Sequence, residues 1–148
     1  MMDADAVVDT NILLEACNNA RPYHAWALDL LQQRNNLWIT AQIAREFLVV
    51  ATRPTEVNGL GLSTDDALKN IDEFRRFVQM APEEKPSLQY LIELVRKYKI
   101  TGKKIHDAAI VATMQATRIG AIITLNPKDF RTFESMITIV TGPVKSSV

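Results

Sequence analysis

The sequence predicts an α/β protein of three layers, with helices on both faces of a mostly parallel five-stranded central sheet. Three observations predict it. Short apolar runs rich in β-branched residues alternate with stretches of helical periodicity along the whole chain. The first such run, Ala6-Val7-Val8, ends abruptly on Asp9-Thr10-Asn11 and is followed at once by helix formers, as in a strand that turns directly into a helix. No repeat, low-complexity segment or inter-domain linker interrupts the alternation, so residues 1–148 are expected to form a single domain.

The elements follow in order. A first strand is expected over about 4–9 and a helix from Asn11, broken by Asn18-Asn19-Ala20-Arg21-Pro22. Pro22 suits the first turn of a second helix running to about Arg34, because its fixed φ matches the helix and its missing N–H costs nothing there. Asn35-Asn36 is a turn, Leu37–Thr40 a second strand, and Ala41 to about Ala51 a third helix with Ile43, Phe47 and Val50 on one face. Arg53 to Gly61 is a loop. Ser63 is the N-cap of a fourth helix to about Phe74, with Asp66 in a capping-box-like position. Phe77–Met80 is a weak third strand. Pro86-Ser87 opens a fifth helix, and Thr101-Gly102 ends that segment. The alanine-rich stretch Ile105–Arg118 is a sixth helix, with Gly120 as its stop. Ala121–Thr124 and Ile137–Val140 complete the sheet.

Composition bounds the function. The chain is 47% apolar and 23% charged with a formal net charge of 0, so a general electrostatic attraction to nucleic acid is not indicated, although a local basic patch is compatible. No apolar run approaches the ~18 residues of a membrane span. Asp3 and Asp5 stand where a signal peptide would be basic, and the lone Cys17 allows no internal disulfide; both favour the cytoplasm. The nucleotide P-loop, GxGxxG, HExxH and GxSxG patterns are all missing.

Four acids carry the chemistry. Asp9 closes the first strand, where open parallel sheets bind ligands, though a purely capping role would also account for it. Glu46 lies on the third helix beside the apolar face; alone, it reads equally well as a boundary residue. Asp107 aligns with Val111 and Met114 on an otherwise apolar stripe, a costly place for a carboxylate unless it is paired, protonated or bound to a cation. Asp129 follows the fourth strand in Thr124-Leu125-Asn126-Pro127-Lys128-Asp129, and alone it reads as a turn residue. Together the four are more telling, because a doubly wound fold would gather them at one edge of the sheet. Clustered carboxylates repel, and all-oxygen ligands suit Mg²⁺ or Mn²⁺. That is chemistry for phosphodiester hydrolysis. The run from Arg96 to Lys104 holds five basic residues and no acid and leads into Asp107, an arrangement suited to a polyanion that Lys103 and Lys104 would meet, although a solvated helix end accounts equally well for Arg96 to Lys99. His106 is expected to pack or to bond locally, His24 to lie at the surface, and Tyr98 to be buried.

Val8-Asp9-Thr10-Asn11, Arg45-Glu46-Phe47, Ile105-His106-Asp107-Ala108 and Thr124–Phe130 together resemble the PIN domain family, in particular its VapC-type toxins. The resemblance covers nearly the whole chain. It implies a PIN-like fold and a Mg²⁺- or Mn²⁺-dependent endoribonuclease. Asp9 and Asp107 then match core metal ligands, and Glu46 the acid that binds metal directly or through water. Many members have aspartate where Asn126 stands, so the fourth ligand falls to Asp129 or to the Asn126 carbonyl. Thr10 and Thr124 match hydroxyl positions that orient a ligand or water. A homodimer and a small cognate antitoxin are also implied. Other readings are a PIN nuclease of RNA processing and a PIN-like module that binds without cutting. A receiver-like phosphorylation switch would want an aspartate ending the third strand, and Gln79-Met80-Ala81-Pro82 offers none.

Overall fold

In the computed structural model, which describes residues 2–143, five strands and six α-helices are ordered β1 (Ala6–Val8), α1 (Thr10–Ala16), α2 (His24–Gln33), β2 (Leu37–Thr40), α3 (Ala41–Thr52), α4 (Thr64–Phe74), β3 (Gln79–Ala81), α5 (Lys85–Tyr98), α6 (Lys104–Thr117), β4 (Ala121–Thr124) and β5 (Thr138–Thr141), with short 3₁₀ segments at Thr55–Val57 and Pro127–Phe133. Every strand pairing is parallel, and the order is β3-β2-β1-β4-β5. β1 is fully buried along its length, as a strand covered on both faces must be. Right-handed crossovers then lay α1 to α4 against one face, while the return to β4 carries α5 and α6 over the other. The helix pairs agree: α1 packs on α2 and α3, α3 on α4, and α5 on α6. One apolar core runs through the sheet, and Phe47 of α3 meets Phe74 of α4 edge to face at 5.2 Å.

Local chemistry explains most boundaries. Ser63 Oγ accepts from the Asp66 amide at 3.1 Å and starts α4, as its spacing predicts. Three boundaries differ from expectation: β3 starts at Gln79 rather than Phe77, because the Phe77 and Val78 amides bond back to the Phe74 carbonyl and extend the turn after α4. Pro22 is not the first residue of α2, because turns closed by Arg21 N–H to Asn18 O and His24 N–H to Arg21 O carry the chain on to His24. α6 is closed by Arg118 rather than Gly120: Arg118 takes the left-handed conformation at φ 59°, and buried Ile119 bonds back to the Met114 carbonyl at 2.9 Å. His24 is half-buried, with Nδ1 2.8 Å from the Glu15 carbonyl, rather than at the surface. Tyr98 is half-buried, as expected, with its ring edge to face on Phe133 at 5.7 Å. The buried Glu15 carboxylate pairs with Arg21, which gives that charge a structural partner away from the sheet edge. Among the described residues no helix is long and apolar enough to cross a membrane.

Candidate metal centre at the carboxyl edge of the sheet

From β1 the chain winds outward through β2 to β3, then returns to the other side of β1 as β4 and β5. The winding therefore reverses between β1 and β4, and a crevice of this kind is where open parallel sheets place ligands. Asp9 leaves β1 there in extended conformation and caps α1. It is 6% exposed, and its carboxylate accepts from the Thr10 amide at 2.8 Å, the Thr124 hydroxyl at 2.7 Å and the Asn11 amide at 3.3 Å. Thr124, at the end of β4, is wholly buried. Its hydroxyl donates to Asp9 and accepts from Asn11 Nδ2 at 3.2 Å and the Asn126 amide at 3.0 Å, which uses its full bonding capacity. Asn11 Oδ1 accepts from the Leu125 amide at 3.2 Å, so the two strand ends are tied together across the crevice.

Glu46 reaches the same edge from α3. Its two carboxylate oxygens accept from the Thr10 hydroxyl at 2.9 Å and from Gln42 Nε2 at 3.2 Å. Gln42 is 8% exposed and in turn accepts from Arg45 at 2.7 Å, while Arg45 also reaches Glu83 at 3.2 Å. A continuous line of hydrogen bonds thus runs from Arg45 through Gln42 and Glu46 to Thr10. Gln42 was not anticipated from sequence; its only signal was its place four residues before Glu46, on the same side of the helix.

Asp107 lies in the first turn of α6, with the Lys104 ammonium 3.7 Å away. Lys104 also donates to the backbone carbonyl of Asp129, so this cation is turned inward and joins α6 to the segment after β4. Asp129 sits in the 3₁₀ segment, and Asn126 Nδ2 donates to its carboxylate at 3.0 Å. Asn126 and Asp129 are therefore partners in one small unit.

Electrostatics link the four acids. Burial pushes the Asp9 carboxyl up to about 6; Glu46 and Asp129 add to the rise, and the bonds from Thr124 and Thr10 oppose it. Burial likewise pushes Asp107 up to about 7, reinforced by Asp129, Asp9 and Glu46 and eased by Lys104. Asp9, Glu46 and Asp129 are nonetheless fastened to hydrogen-bond partners and Asp107 is paired with Lys104, and among the described residues no three His, Cys, Asp or Glu side chains form a ready-made ligand group. The donor set is still all oxygen, carries more negative charge than Lys104 balances, and is the type that hard divalent cations take.

Beside Glu46 and Thr10 opens a cavity of about 510 Å³. Val49 and Val50 form its apolar wall, and Arg45, Arg53, Lys103 and His106 contribute nitrogen donors. His106 is exposed and lines this cavity rather than packing, because α6 turns it away from the core while Ala108 and Val111 face inward. Arg53 had no sequence signal beyond its place at the start of a loop.

The sequence profile described as PIN domain matches residues 6–134. No curated protein matches the chain. Among solved structures, a toxin–antitoxin complex from Klebsiella pneumoniae contains a chain 25% identical, with a TM-score of 0.59, covering 93% of this chain and 97% of that one. VapBC2 from Rickettsia felis bound to a promoter DNA fragment matches at 16% identity with a TM-score of 0.64, covering 93% and 98%. DNA-bound VapBC from Salmonella typhimurium matches at 19% identity and 0.62, covering 94% and 98%. The latter two likenesses are of fold. With the profile spanning most of its length, the chain belongs to the PIN domain family.

Proposed function

We propose that this protein is a Mg²⁺- or Mn²⁺-dependent endoribonuclease of the VapC type, the toxin of a type II toxin–antitoxin pair. The observation that carries the reading is the approach of Asp9, Glu46, Asp107 and Asp129 to the sheet's switch point, with the Asp9 and Asp107 carboxyls pushed up by burial and further by the neighbouring acids. A divalent cation held there would supply the charge that activates water and stabilises the leaving oxygen of a phosphodiester. Asp9 and Asp107 are its proposed direct ligands. Glu46 binds it directly or through water, and Asp129, or the Asn126 carbonyl, is the fourth ligand. Thr124 and Thr10 hold Asp9 and Glu46 in place through the bonds described. Lys103, exposed just before α6, is the proposed contact to RNA phosphate. Lys104 has a second use in joining Asp107 to the Asp129 backbone.

The toxin–antitoxin complex from Klebsiella pneumoniae supports a small antitoxin partner for this chain as well. A homodimer acting in the cytoplasm completes the proposal. The alternative reading, a PIN module that binds without cutting, draws on Asn126, an amide among the carboxylates. Purified protein incubated with a mixed RNA pool in Mg²⁺, in Mn²⁺ and in EDTA, beside Asp9→Asn, tests it. Cutting that requires the metal and disappears in the variant is expected. Full cutting by Asp9→Asn would overturn the site assignment, and failure to cut with either metal would favour the binding module.

A further inference from the structure

The amino edge of the sheet, opposite the acids, carries a second cleft of about 480 Å³. It is lined by residues that precede β1 and β4 and by one face of the edge strand β5. Two arginines border it from opposite layers: Arg34 closes α2 and Arg118 closes α6. A helix C-terminus favours a cation, and that alone would account for an arginine at either place. Arg34, however, does not serve its own helix with its guanidinium. Its Nη2 donates to the Ala4 carbonyl at 3.2 Å, and its Nε is buried with no hydrogen-bond partner among the described residues. At the end of α6 it is the Arg118 backbone N–H that bonds the Gln115 and Met114 carbonyls. Neither arginine has a carboxylate partner either: the ion pairs among the described residues are those of Arg21, Arg45, Arg76 and Lys104. Asp3 and Asp29 flank Arg34 from an adjoining cleft without reaching ion-pair distance.

We propose that this cleft binds a small phosphate monoester that also carries an N–H donor, a ligand with the size and chemistry of a purine mononucleotide. A partly buried guanidinium without counter-charge is costly, and an anion repays that cost. The planar fork of arginine suits phosphate oxygens, and two forks from different elements suit one terminal phosphate. Asp5 is the carboxylate that lines the same cleft, and it sets the second requirement. One of its oxygens accepts from the Trp38 indole at 2.9 Å, which leaves the other to accept from a ligand. An ionised carboxylate can only accept, so a bare phosphate would meet repulsion there, whereas an N–H group would be bonded. Thr138 and Val140, two residues apart on one face of β5, add a hydroxyl and an apolar contact for a ring. The volume lies in the usual range for small-ligand sites. Because the cleft lies across the sheet from the acids, it needs neither metal nor RNA, and it stands whether or not the ribonuclease reading holds. A ligand bridging Arg34 and Arg118 would also tie the two helical layers together beneath the sheet.

Calorimetric titration with guanosine 5′-monophosphate in phosphate-free buffer, beside ribose 5-phosphate, guanosine and inorganic phosphate, provides the test. One nucleotide should bind per chain, equally well in EDTA and in Mg²⁺, and should raise the melting temperature. Ribose 5-phosphate lacks the N–H donors and guanosine the phosphate, and each should bind about tenfold more weakly. Arg118→Gln changes an exposed side chain and should weaken the nucleotide about tenfold while circular dichroism stays native. A Cβ at Gly120 would meet nothing within 4 Å, so Gly120→Trp can fill the cleft without displacing the backbone, and binding should disappear. Asparagine at position 5 can still accept from Trp38, so Asp5→Asn should keep the fold and narrow the difference between nucleotide and ribose 5-phosphate. No saturable binding at millimolar nucleotide would overturn the proposal, as would inorganic phosphate binding as tightly as the nucleotide. Unchanged affinity in both Arg118→Gln and Gly120→Trp would overturn it as well. Binding that requires Mg²⁺ would place the nucleotide at the acids instead and remove this cleft's role, leaving the metal-centre reading intact.

Discussion

Asp107→Asn tests whether the acidic edge lacks positive charge. Its carboxyl rises from 3.8 to about 7, chiefly through burial and then through Asp129. A folded state that holds a proton the unfolded chain has released is progressively destabilised as pH climbs between those values. The contribution is therefore favourable below about pH 4 and is lost by about pH 7. At 1.36 kcal/mol per pH unit the ceiling is about 4 kcal/mol. The side chain keeps 22% of its exposure, and Lys104 stands 3.7 Å away, so solvent and this partner reduce the figure to about 2 kcal/mol. Asparagine keeps the shape and cannot ionise. In EDTA at pH 8 the variant should be more stable than wild type by about 2 kcal/mol in urea unfolding, and at pH 4.5 most of that advantage should be gone. Mg²⁺ should then reverse the order at pH 8, since wild type gains about 2.7 kcal/mol at one hundred times its dissociation constant and the variant gains less. An advantage of equal size at both pH values would refute the argument, as would no advantage at pH 8.

Three further outcomes are expected. Thr124→Val keeps the volume but removes the hydroxyl that serves Asp9, Asn11 and Asn126; a loss of about 2 kcal/mol should appear in thermal unfolding, together with weaker Mg²⁺ binding by calorimetry. Gln42→Leu frees Glu46 and Arg45 from their shared partner, and should lower the rate of RNA cutting several-fold while circular dichroism remains native. In Gly59→Ala the new Cβ would stand 1.8 Å from the Arg53 carbonyl oxygen, so the loop must move; a stability loss of about 1–3 kcal/mol and weaker RNA binding should coincide.

The strands were legible because burial on both faces leaves a nearly continuous apolar run, as in Ala6-Val7-Val8, and the α4 start because Ser63 and Asp66 hold their bond within one turn. The four acids were legible as residues that follow strand ends or open a helix without a structural reason strong enough to account for all of them. What stayed hidden depends on distant partners. Gln42 matters through Thr10, Glu46 and Arg45, and nothing local distinguishes it from any other helical glutamine. The inward turn of Lys104 depends on a carbonyl 25 residues later, so its neighbours in sequence made it resemble Lys103. The end of α6 was misplaced because glycine is the usual left-handed residue, whereas burial of Ile119 fixes the turn two positions before Gly120.

The bond between Asp9 and Thr124 spans 115 residues, and the strands that carry it lie side by side at the centre of the sheet. During synthesis Asp9 leaves the ribosome 115 residues ahead of Thr124 and waits for all of the intervening chain before its neighbour exists. Every product that ends before β4 therefore carries Asp9 without the crevice that Thr124 completes. The same division offers an experimental handle: a chain cut between β3 and α5 separates Asp9 and Glu46 from Asp107 and Asp129, so activity recovered on mixing the pieces would report reassembly of the sheet across β1 and β4.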